Sequence, residues 1–389
     1  MSDPGGSLEI QLTPSSDGLV CTIVSTRPVA AASAFVGRSP EETTARLPLL
    51  FSICARAQAG ACAAAFEQAS GRVASPIIRG RREAAIAAET IREHLWRILL
   101  DWPTLLGEPP CRDDMASALA LSNRILSRLD PAGDLFGVGA RTAAGHTPGQ
   151  APGLDVLLAD LHDLLTHKVL GVPPEHWLSL IGDPSGFERW CRNTETVAAR
   201  LLRSLLESGE ASLGKTTIPA LPRLSEKDLI ARLSAPDWAE FVAAPTWQGQ
   251  PRETSPFTRV HPLPLIEVYG AGLLVRLAAQ LTEVATGLRL LSRGPVGNAG
   301  AQPTSAGGNG IGLGRVFAAR GLLAHVVRVE DGRVREYRIL APTEWNFHPR
   351  GVVVRALESL PPGPEEQLRR QAELLITAID PCVAFKLTC

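Results

Sequence analysis

The residues best suited to chemistry are the cysteines. Seven occur, at 21, 54, 62, 111, 191, 382 and 389. An odd number at irregular spacing makes no disulfide framework, and no CxxC or clustered Cys/His pattern of a zinc site is present. Two thiols stand out by context. Cys54 falls in the predicted first turn of an alanine-rich helix, where the dipole lowers a thiol pKa. Cys382 follows Asp380-Pro381, just past a predicted helix end on backbone that the proline restricts. Two thiolates brought together are soft ligands for a transition metal. Cys21, Cys62, Cys111 and Cys191 fit the commoner role of a small buried hydrophobe. Cys389, at the terminus, is a remote candidate for a third thiol. The eight histidines form no HExxH or HxxxH pair and read as surface or satisfied core groups.

The elements that must position these thiols are legible in part. Leu8 to Leu12 alternates apolar and polar, and Val20 to Val24 is rich in β-formers, which predicts an N-terminal hairpin. Ser39-Pro40-Glu41-Glu42 is a capping box opening a short helix to about Arg46, before Pro48. The next helix, Phe51 to Ser70, carries Ala57, Ala61, Ala64 and Ala65 three or four apart, a smooth face that another element can approach closely. Helical periodicity recurs at 83–100, 113–129, 154–170, 174–181, 186–207 and 225–233, and longest at 265–291. Val326 to Tyr337, with Asp331-Gly332 at its centre, is a hairpin with a type I′ turn. Pro364-Glu365-Glu366 opens a last helix, whose apolar residues Leu368, Ala372, Leu375, Ile376 and Ile379 keep one face. The segments 131–152 and 292–310, rich in Gly and Pro, are loops.

Composition sets limits. At 389 residues, 45% hydrophobic and 20% charged, the chain is a globular protein with ample core, read as one domain over 1–389. A net charge of -1 gives no general attraction to nucleic acid. No apolar run is long enough to span a membrane, and Met1 to Gly6 is not a secretory signal, so a reducing cytoplasm is expected.

Four segments, in order, resemble the large subunit of nickel–iron hydrogenases, and more closely its non-catalytic relatives, the HupK/HoxV-type maturation scaffolds. Gly37 to Glu67, with Phe51-Ser-Ile-Cys54, is similar to the segment that carries R-I-C-G-x-C. Ala319-Arg320-Gly321 to His325 is similar to A-P-R-G-x-x-x-H. Ala341-Pro342-Thr343-Glu344-Trp345-Asn346 to Arg350 resembles P-T-T-W-N-x-x-P-R, and Asp380-Pro381-Cys382 the closing D-P-C-x-x-C-x-x-H. The resemblance implies a mainly α, large-subunit-like fold with small β-hairpins, in which both chain ends meet at one pocket. Residues from about 105 to 260 match no part of it.

The departures decide the expected function. Only the first cysteine of each family pair survives. Ala57 and Phe385 stand where the thiolates bridging nickel to iron would be, and about Ala61 and Thr388 where the histidines would be. No tail follows the closing motif for an endopeptidase to remove. The resemblance therefore implies a non-catalytic assembly factor without nickel. Cys54 and Cys382 would hold an iron carrying two cyanides and one carbon monoxide, Fe(CN)2CO, transiently. Arg320 would supply charge and donors, Pro342 and Thr343 contacts to cyanide, and Asp380 the orientation of Arg320 or the loop. Trp345, Asn346 and His325 would be structural. Implied partners are the HypC/HypD-type iron-fragment assembly complex, a HypC-like small chaperone and the large-subunit precursor. Two other readings remain open: a metal-free relative that only docks a partner, and a mononuclear iron enzyme.

Overall fold

The computed structural model describes residues 5–16, 18–51, 53–140, 153–260, 264–293 and 308–389. Parts of the two expected loops, 141–152 and 294–307, lie outside these residues, as does Ser52.

Strands β1 (Ser7–Ser15) and β2 (Gly18–Ser25) form the expected N-terminal hairpin. Helix α1 (Pro40–Leu50) has its capping box, with Ser39 and Glu42 exchanging side-chain and backbone bonds. It runs on through Pro48 rather than stopping near Arg46. The missing proline N–H forgoes one bond to the carbonyl four residues back, and the helix ends soon after at the Phe51 C-cap.

Helix α2 (Ala55–Ala69) is buried along most of its length. Its alanine face receives β3 (Ile311–Ala318), a strand that the sequence pattern did not reveal. Contact is close because β3 contributes Gly312 and Gly314. A Cβ on either would overlap the carbonyl oxygen of Ala65 or Ala61. β3 pairs with β4 (Gly321–Glu330), which pairs with β5 (Arg333–Leu340). The turn joining them has φ of 51° at Asp331 and 70° at Gly332, as a type I′ turn requires.

Helix α3 (Pro76–Trp96) starts earlier than its apolar pattern, because Ser75 caps it and Pro76 takes the first position. It continues through a π-helical turn, Arg97–Asp101, into Trp102–Leu105. The long pattern at 265–291 divides. Gly270, at φ 73°, separates Leu265–Tyr269 from the central helix Leu273–Ser292. This central helix is buried on nearly every face, and α3 packs along it. The pattern at 186–207 also divides, into Pro184–Asn193 and Val197–Glu207.

The C-terminal helix (Glu365–Ile379) keeps its apolar stripe inward. Asp380 ends it at φ 59°, a left-handed conformation uncommon outside glycine. The chain then enters β6 (Ala384–Thr388), which the sequence reading did not anticipate. β6 pairs in parallel with β1, placing Phe385 opposite Leu8 and Leu387 opposite Ile10. The head and tail of the polypeptide are thus neighbours in one three-stranded sheet, ordered β2-β1-β6.

Candidate functional site

Cys54 and Cys382, from opposite ends of the chain, lie near enough for their charges to act on each other and on Arg27. Cys54 is the N-cap of α2 and not a first-turn residue. Its side chain caps nothing. The second and third N–H groups of α2 are satisfied from outside, by Glu89 of α3, which accepts from Arg56 N at 2.8 Å and Ala57 N at 2.9 Å. The expected lowering of the Cys54 thiol pKa is therefore reversed. Burial, then the charges of Cys382 and Glu89, push it up to about 12, against a smaller opposing pull from Arg320 and Gln58. Gln58 Nε2 reaches its sulfur at 3.7 Å. Glu89 itself is pushed up to about 7 by burial, despite its two backbone donors and Arg92.

Cys382 is held more tightly. Its sulfur lies 2.9 Å from Thr343 Oγ1 and accepts from Arg27 Nη1 at 3.2 Å. Its own N–H donates to Thr343 Oγ1 at 3.4 Å. Thr343 is presented by a short helix, Pro342–Asn346, with Pro342 at its first position. Pro342 also lies against Gly321, so the backbones after Arg320 and before Thr343 are packed together.

Arg320 is buried, at 4% exposure, and ion-paired to two carboxylates, although its Nε makes no hydrogen bond. Its Nη1 donates to Glu93 Oε2 at 3.1 Å, and its Nε lies 3.0 Å from Asp380 Oδ2. Burial opposes its charge, but Asp380, Glu93 and then Cys382 outweigh it and hold the guanidinium protonated. Asp380 also accepts from Arg97 Nε at 2.7 Å, and Arg97 Nη2 reaches Pro381 O at 3.3 Å. Each of Arg27, Arg97 and Arg320 thus has a carboxylate partner. Glu93 and Asp380 balance the charge of Arg320 and leave its Nε without a hydrogen bond.

Asn346 and Trp345 hold the frame. Asn346 Oδ1 accepts from Thr254 N at 2.9 Å and Nδ2 donates to Arg320 O at 3.0 Å, which fixes the backbone of the arginine. Trp345 is buried edge-on against Phe241, with ring centroids 6.0 Å apart. His325 is buried against Tyr337 OH at 2.9 Å and depressed to about 3 by burial, so it stays neutral. Cys389 lies beside Glu365, Arg369 and Glu373, toward the far end of the C-terminal helix from Asp380. Ala57 is buried, while Phe385 and Thr388 are strand residues of β6. Among the described residues no group of three or more His, Cys, Asp or Glu side chains is placed to hold a metal ion. The chain offers two thiols and a ring of donors.

Sequence reasoning missed Arg27, Arg97, Glu344, Glu93 and Glu89. Glu89, Glu93 and Arg97 had a signal. They lie four apart, so three charged groups share one face of a helix otherwise largely buried. Arg27 follows β2 in a segment with no pattern of its own.

The family model for nickel-dependent hydrogenase matches residues 280–385. The fold resembles a reduced, active Ni-Fe-Se hydrogenase from Desulfomicrobium baculatum, with a TM-score of 0.61 and 15% identity over 95% of each chain. The architecture is therefore that of the nickel–iron(–selenium) hydrogenase large subunit. Full-length relatives narrow this. The hydrogenase expression/formation protein HoxV of Cupriavidus necator is 33% identical over 95% of this chain and 92% of its own. HupK of Rhizobium leguminosarum bv. viciae is 32% identical over 98% and 96%. The chain belongs to this HoxV/HupK family of hydrogenase expression/formation proteins, and its role lies in hydrogenase maturation. No helix among the described residues is long and apolar enough to cross a membrane.

Proposed function

We propose that this protein is a non-catalytic carrier that holds the Fe(CN)2CO fragment, on its way to the hydrogenase large subunit, between Cys54 and Cys382. The observation that supports the reading is the electrostatic interaction of these two thiols with each other and with Arg27. The charge of Cys382 is among the causes that push Cys54 up, and Arg27 is held charged partly by both. Iron prefers such soft donors, and the chain adds no third or fourth protein ligand among its described residues.

Two thiolates suit a transient hold, since three diatomic ligands would travel with the iron. Burial raises the Cys54 thiol, so loading includes loss of its proton to the surroundings. Thr343 lies against Cys382, and Pro342 and Asp380 fix the backbone and arginine around it. The cargo comes from a HypC/HypD-type assembly complex, with a HypC-like small chaperone at the exchange, and goes to the large-subunit precursor in the cytoplasm.

The balanced charge of Arg320 favours a second reading, a metal-free relative that only docks a partner. Infrared spectroscopy separates them. The protein is purified from cells expressing the assembly machinery. Carrier function predicts cyanide and carbon monoxide stretches that disappear in Cys54→Ser and Cys382→Ser. A wild-type protein without these bands supports the docking reading.

A further inference from the structure

Of the three arginines around the thiols, Arg27 alone donates to a thiol sulfur, and no part of the sequence pattern pointed to it. Its position is built. Thr26 N donates to Ser7 O at 3.0 Å and Ser7 N to Thr26 Oγ1 at 2.9 Å, which ties the residue to the start of β1. Gly6, at φ 74°, lets the two backbones meet, since a Cβ there would lie 2.6 Å from Arg27 Cα. The side chain is 13% exposed. Its Nε donates to Glu344 Oε1 at 2.7 Å, and Nη1 donates to Cys382 Sγ at 3.2 Å. The second oxygen of Glu344 is buried without a hydrogen-bond partner. One guanidinium thus bridges the helix that bears Thr343 and the sulfur that would bind metal.

We infer that Arg27 is the positioning residue of the loaded site, the cation that stays hydrogen-bonded to the Cys382 sulfur or to a cyanide nitrogen once iron is bound. The inference rests on the carrier reading. Arg320 is committed to Glu93 and Asp380, whereas Nη1 of Arg27 already faces the ligand sulfur. A planar fork holding a carboxylate with one arm and an anionic acceptor with the other is well suited to arginine. Such a donor withdraws electron density from sulfur or cyanide and so from iron. Less density then passes back into carbon monoxide, which keeps its stretching frequency high.

The test is the infrared spectrum of the loaded protein, wild type against Arg27→Met and Arg27→Lys, with folding checked by thermal unfolding. The expected result is a carbon monoxide band at lower wavenumber in Arg27→Met, with a smaller shift in Arg27→Lys, which keeps the charge but not the fork. A band at the wild-type position in Arg27→Met overturns the inference while leaving the carrier reading intact. Absence of all bands from wild type instead overturns the carrier reading, and this inference with it. Should Arg27→Met fail to fold, Arg27→Gln carries the same comparison.

Discussion

Glu89 offers a test of how the site is assembled, through Glu89→Gln. The carboxylate reaches from α3 to the second and third N–H groups of α2, at 2.8 and 2.9 Å, and thereby fixes where Cys54 sits. Burial raises its pKa from 4.5 to about 7, with Glu93 adding to the rise and Arg92 and the two backbone donors opposing it. The folded state therefore holds the proton more tightly than the unfolded chain. Its contribution to stability is complete below pH 4.5 and is lost as pH rises through about 7. At about 1.4 kcal/mol per pH unit across that interval, the loss approaches about 3 kcal/mol. Glutamine does not titrate and keeps one acceptor oxygen. Urea unfolding of wild type and Glu89→Gln at pH 4.5 and pH 8, at fixed ionic strength, measures the difference. The variant is expected to gain on wild type by up to about 3 kcal/mol between the two. A stability gap that is the same at both pH values refutes the reasoning.

Three further substitutions address the frame. Gly314→Ala inserts a methyl into the α2–β3 contact, where backbone stands on both sides; overpacking of this kind costs about 1–3 kcal/mol or more, read as a lower urea midpoint. Asp380→Asn removes the charge shared by Arg97 and Arg320. Glu93 and Asp101 still hold one arginine each, so the expected loss is about 3 kcal/mol, the lower end for a broken buried pair, measured by denaturant unfolding. Thr343→Val removes a hydroxyl bonded to Cys382 and costs about 1 kcal/mol in the same assay.

The legible parts of this protein were those set by local chemistry. The Ser39 capping box, the Asp331-Gly332 turn and the alanine face of α2 each announce a geometry within a few residues. What stayed hidden depends on partners far along the chain. β3 gains its place from two glycines that meet carbonyls of α2, and β6 from pairing with a strand more than three hundred residues earlier. The thiol pair was visible because two motif fragments survive, while the sign of the Cys54 shift was not. A helix-terminus argument sees the dipole, but burial beside Glu89 and Cys382 prevails. Arg27 and Glu344 form a pair that no spacing encodes, since they stand 317 residues apart in the chain.

Iron X-ray absorption on the loaded protein tests the central claim most directly. Two sulfur scatterers at about 2.3 Å, the usual metal–thiolate distance, are expected beside the short iron–carbon bonds, falling to one in Cys54→Ser or Cys382→Ser. A loaded wild-type protein whose iron shows no sulfur neighbour, or whose sulfur count is unchanged in both variants, contradicts the account.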